Sequence, residues 1–135
     1  MVVSWDLANP ESGQLIAKLP NSVYALHHHP ESDLLIAGHN YEGIHLLDWQ
    51  NKREAGSLQL TKAAIFDIQS TGQHLLVATG EGILIKVDIR NLTVTGQIQL
   101  SEKSARTIAV SETRGEIAVG YSDNSIRVFD LDDMK

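Results

Sequence analysis

The chain has 135 residues, enough for one ordinary domain, and its 42% apolar and 21% charged residues are those of a packed globular protein rather than a disordered one. The formal charge is −6, and its 11 basic residues are scattered, which argues against a nucleic-acid binder that grips phosphates with clustered Lys and Arg. The absence of cysteine excludes disulfides and thiolate chemistry, and no apolar run reaches the roughly 20 residues of a membrane-spanning helix. Met1-Val2-Val3 lacks the basic start and long apolar stretch of a secretory signal, so the expectation is a cytoplasmic protein that meets neither membrane nor nucleic acid.

In chain order, the first apolar segment is Val2-Val3-Ser4-Trp5-Asp6, closed by an aspartate, followed by a looser alternating stretch from Gly13 to Leu19. A third segment places apolar residues at Val23 and Leu26 and stops at the turn residues Pro30-Glu31-Ser32. Leu34-Leu35-Ile36-Ala37-Gly38 then ends in small residues, and Ile44-His45-Leu46-Leu47-Asp48 ends in aspartate again. Gly56-Ser57-Leu58-Gln59-Leu60 completes the series.

From there the segment types recur. The small-ended runs begin at 34, 75 and 116, in steps of 41, and the aspartates that close the other type stand at 6, 48, 88 and 130. Such a fixed period is the signature of a repeat architecture. Each segment is four to seven residues long, rich in Val, Ile and Leu, and bounded by Gly, Asn, Asp or Ser, so each predicts a strand. No window offers the i, i+3, i+4, i+7 stripe of a helix without a turn signal inside it. The chain is therefore expected to be all-β, with four strand types a, b, c and d running c, d, then a to d twice, then a, b, c. The predicted units are 1–20, 21–61, 62–101 and 102–135.

Four antiparallel strands per roughly forty residues, with an aromatic-Asp or apolar-Asp pair closing the third, resemble the WD-repeat β-propellers. Trp5-Asp6 matches the family dipeptide, Phe129-Asp130 and Val87-Asp88 are variants of it, and Asp123 stands where the family places an Asp in the tight b to c turn. The Gly-His pair that precedes strand a in the family is absent, which puts in doubt the buried side-chain network typical of such blades. The resemblance implies a β-propeller segment, an incomplete ring of about seven blades. It gives Trp5, Asp6, Asp48, Asp88, Asp123, Phe129 and Asp130 a structural role in the repeat. Because the chain starts and stops in strand c, the reading also expects either a piece of a longer protein or a homo-oligomer joined through open blade edges.

Motifs that could carry chemistry are weak. In His27-His28-His29 the first and third rings share one strand face and the second takes the other, so three ligands do not converge, and no carboxylate at a fixed offset completes a metal set. Gly80-Glu81-Gly82 links two strands and precedes no helix, so it reads as a hairpin turn and not a phosphate loop. No Gly-x-Ser-x-Gly elbow is present, and the serines fall in turns. No cofactor is expected.

On the resemblance, the loops joining d to a and b to c meet peptides or proteins. On the face where those loops emerge, the residues that offer large area with directed hydrogen bonds are Tyr24 and Arg106, at the starts of a strands, with Tyr41 and Tyr121; His39 shares the loop of Tyr41, and Lys62 and Glu102 are weaker candidates. The leading function is thus a non-catalytic protein-interaction scaffold with a peptide or protein partner. The alternatives are a metal-dependent or hydrolytic propeller enzyme, with His39 or the histidine run as ligands, and a truncated fragment without an independent role.

Overall fold

The computed structural model describes residues 1–39, 41, 43–99 and 101–134, and within them it holds thirteen strands and no helix. Strands β1 (Val2–Asp6) and β2 (Asn9–Ala17) form a two-stranded sheet. β3 (Val23–His29), β4 (Leu34–His39), β5 (Gly43–Asp48) and β6 (Arg53–Leu58) form a four-stranded sheet, as do β7 (Ile65–Thr71), β8 (His74–Thr79), β9 (Ile83–Asp88) and β10 (Thr93–Gln99). β11 (Ala105–Ser111), β12 (Glu116–Tyr121) and β13 (Ile126–Asp130) complete a three-stranded sheet. Within each sheet every strand pairs antiparallel with the next in sequence, as in an up-and-down propeller blade, and the four sheets do not close into a ring.

The sheets pack face to face, which explains the continuous apolar runs of the b strands. In β8 the side chains alternate: Leu75 and Val77 enter the core shared with β3–β6, while Leu76 and Ala78 enter the core shared with β11–β13. All four have no exposed surface, so the strand has no polar face to show. A Cβ on Gly38 would lie 2.5 Å from Cγ2 of Ile65, so only glycine lets β4 approach the neighbouring sheet this closely.

The aspartates that recur at the ends of the c strands serve the turns that follow. Asp6 Oδ1 accepts the amide of Ala8 at 2.9 Å, Asp48 Oδ1 that of Asn51 at 3.3 Å, and Asp88 Oδ1 that of Arg90 at 2.9 Å. Asp130 Oδ1 accepts two, from Asp132 at 2.8 Å and Asp133 at 3.1 Å. A short side chain one step before a turn can satisfy amides the ladder leaves free, which is why the residue type repeats with the fold. Asp123 does the same in the b to c turn, taking the Ser125 amide at 3.0 Å and the Ser101 hydroxyl at 3.1 Å.

Two expectations differ from the structure. The d strands begin earlier than the sequence pattern suggests, β6 at Arg53 rather than Gly56 and β10 at Thr93 rather than Gly96, because their opening residues are exposed edge positions without apolar alternation. Phe129 is buried as a repeat aromatic should be, but Trp5 is 59% exposed, its ring lying across Gly13 of the partner strand.

Candidate functional site

Strands β3, β7 and β11 lie side by side as the first strands of their sheets, tied by polar contacts one repeat apart. His27 Nε2 meets Ser70 Oγ at 2.7 Å, His29 Nε2 meets the Gly72 carbonyl at 2.8 Å, and Asp67 Oδ2 accepts the Ile108 amide at 2.8 Å. The histidine run is thus spread over separate partners, since His28 turns outward to Asp33 at 2.6 Å. Among the described residues no group of three or more His, Asp or Glu is placed to hold a metal ion.

Each of the three strands has the same irregularity near its start. The register shifts between Val23 and Ala25, between Ile65 and Asp67, and between Ala105 and Thr107. The residue inside each shift, Tyr24, Phe66 or Arg106, is the extra residue of a β-bulge, and a bulge re-aims its side chain out of the regular pleat. The three side chains stack. The Tyr24 and Phe66 rings have centroids 5.7 Å apart at 36°, and Arg106 Cζ lies 4.1 Å from the Phe66 centroid. Both separations fall within the range of aromatic pairing and cation–π attraction.

Neighbouring contacts fix this ladder from below and beside. Asp67, the residue after Phe66, bridges β7 to β11 through the Ile108 amide and so sets the distance between Phe66 and Arg106. Beside it, the Ser104 hydroxyl donates to the Gly80 carbonyl at 3.1 Å, and the Gly80 amide donates to Ala64 O at 2.8 Å. In that same turn Gly82 has φ +81°, and a Cβ there would lie 2.2 Å from the Ser101 carbonyl oxygen. The result is a surface with an exposed phenol at one end, an exposed guanidinium at the other and a half-buried ring between them.

The structure therefore brings Tyr24 and Arg106, chosen separately from the sequence, to either side of Phe66, which the sequence reading passed over. The signal was available: 24, 66 and 106 are one repeat position, flanked by Val23, Ile65 and Ala105. Tyr41 is 57% exposed at φ +78°, in a loop whose residues 40 and 42 lie outside the described residues. Lys62 and Glu102 are exposed in the loops that lead into β7 and β11.

Two candidates are corrected. His39 and Tyr121 are not loop residues open to a partner, because β4 and β12 run through them to their last position, where alternate side chains still point into the packed face. His39 is fully buried and Tyr121 is 5% exposed. Burial pushes the Tyr121 phenol up from its ordinary pKa, and its hydroxyl lacks a hydrogen-bond partner among the described residues.

Solved structures share this fold. The chain is similar to the computationally designed Ika4 protein, with a TM-score of 0.78 and 14% identity over 96% of this chain and 78% of that one. It is also similar to a chain of the mitotic checkpoint complex, with a TM-score of 0.87 and 15% identity over 98% of this chain and 43% of that one. The computationally designed Ika8 protein gives 0.74 and 15%, over 94% and 39%. This chain thus spans less than half the length of the last two. No family model matches the sequence, and no curated protein matches it. At these identities the likeness is one of fold: repeated β-sheets of propeller type.

Proposed function

We propose that the chain is a non-catalytic protein-interaction scaffold of WD-repeat type, which meets a peptide or protein partner through the Tyr24–Phe66–Arg106 ladder. The observation that carries this reading is the ladder itself: three bulge residues of three sheets, two of them exposed, stacked into one surface. Tyr and Arg dominate binding hot spots because each combines large contact area with directed hydrogen bonds. A guanidinium whose one face lies on an aromatic ring keeps its in-plane donors for a carboxylate or backbone carbonyl. Holding the three side chains in place before binding reduces the ordering cost of association. The fold of a chain in the mitotic checkpoint complex, itself a protein assembly, supports the same reading.

A displayed peptide library selected against the full chain tests it. Selected peptides should lose about tenfold or more in affinity with Tyr24→Ala and with Arg106→Ala, a loss of about 1.4 kcal/mol or more each, while both variants keep the wild-type circular dichroism. Peptides that bind both variants as well as wild type would overturn the proposal.

A further inference from the structure

The sheet β3–β6 carries two histidines and a glutamate at positions where its neighbours hold other residue types. His39, His45 and Glu54 stand on β4, β5 and β6; the same repeat positions are Thr79, Ile85 and Val94 in the next sheet, and Tyr121 and Arg127 in the one after. All three departures fall in one unit, and they meet. His45 pairs in register with Ala37, so His39, two residues on, is its diagonal neighbour on the face that packs toward β1–β2.

The two imidazoles face each other tip to tip. Their Nε2 atoms are 2.5 Å apart and their centroids 4.5 Å apart, so most of the centroid separation lies along the line joining the two nitrogens. The far nitrogen of His45, Nδ1, lies 2.6 Å from Glu54 Oε1. A carboxylate accepts but does not donate when ionised, so Nδ1 carries the proton and the Nε2 of neutral His45 presents a lone pair. This is the arrangement by which a carboxylate orients a metal-binding imidazole and raises its basicity. The His45 side chain is 12% exposed, which gives the buried pair a route to solvent.

We propose that His39 and His45 bind one divalent transition-metal ion, of the zinc class, through their Nε2 atoms, with Glu54 as the positioning carboxylate behind His45. Zinc–imidazole bonds of about 2.0–2.1 Å in a tetrahedral site place two nitrogens about 3.3 Å apart, so the rings must part by about 1 Å and tilt out of their head-on alignment for both lone pairs to meet at the ion. His39 then carries its proton on Nδ1, and no net proton is released. Among the described residues the donors are these two nitrogens, fewer than the four protein ligands of a closed structural zinc site. Imidazole donors suit Zn2+, Ni2+, Co2+ and Cu2+ rather than Mg2+ or Ca2+.

Calorimetric titration of the full chain with Zn2+, and separately with Mg2+, tests the site. Wild type should bind one Zn2+ and no Mg2+. His45→Ile, which installs the residue of the next repeat, should abolish binding without loss of the β-sheet spectrum. Glu54→Val should weaken binding about 10- to 100-fold, and His28→Ala, at the exposed middle of the histidine run, should leave it unchanged. No Zn2+ binding by wild type, or binding that survives His45→Ile, would overturn the proposal. So would loss of binding in His28→Ala. None of these results would bear on the peptide surface, whose residues these variants leave intact.

Discussion

The sheet β7–β10 and the strands at the two ends of the described fold come from one repeat but experience different surroundings. In β9, Leu84 and Val87 have no exposed surface; in β13, Ile126 is 76% and Val128 57% exposed, and in β1 Trp5 is 59% exposed. The residues differ little in kind. What differs is the number of sheets packed on them, since β7–β10 has a core on each face while β1–β2 and β11–β13 have one each. In a repeat fold, stability thus resides in the interfaces between units rather than in any unit alone.

The largest expected effect comes from comparing the two regions directly. Leu76→Ala should cost about 2–5 kcal/mol, since it opens a cavity in a filled core, whereas Val128→Ala should stay within about 0.5 kcal/mol because its site is already wet. Denaturant unfolding of both variants measures this, and equal losses would break the comparison.

Tyr121 sharpens it from the other side. Its hydroxyl is buried at the end of β12 without a hydrogen-bond partner among the described residues, so Tyr121→Phe removes an unsatisfied polar group and keeps the ring. The variant should gain about 1 kcal/mol in the same assay. A loss would mean that the hydroxyl is satisfied in solution.

The smallest effect is the pH dependence. The Arg90 side chain and backbone amide hold the Asp88 carboxyl at about 2, well below its ordinary value, and burial lowers His27. A depressed carboxylate stabilises the fold above its unfolded pKa of about 3.9 and loses that contribution as pH falls toward 2. A depressed histidine opposes folding once the unfolded chain binds a proton, below about pH 6.5. Thermal midpoints should therefore decline in two acid stages, the first abolished by His27→Gln and the second reduced by Asp88→Asn. A midpoint flat from pH 7 to pH 3 would contradict both.

The period, the strand types and the recurring aspartates were legible in the sequence because each reflects a local rule: alternation, turn chemistry and a short acceptor before a turn. Asp48, Asp88 and Asp130 repeat for that reason. The ladder was half legible. Tyr24 and Arg106 stand out as odd choices at strand starts, but Phe66 reads as ordinary core until the bulge that turns it outward is seen. The burial of His39 and Tyr121 was hidden because a strand's last residue and a loop's first residue look alike in sequence. The His39–His45–Glu54 line was hidden as well, since it depends on cross-strand register.

The most direct measurement of the central claim is the footprint of a selected peptide in amide chemical shifts of the labelled chain. The account predicts perturbations centred on Tyr24, Phe66 and Arg106 and on the adjoining Gly80 and Ser104, with the c to d turns at Asp48 and Asp88 unmoved. A footprint on those turns, with the ladder silent, would contradict it.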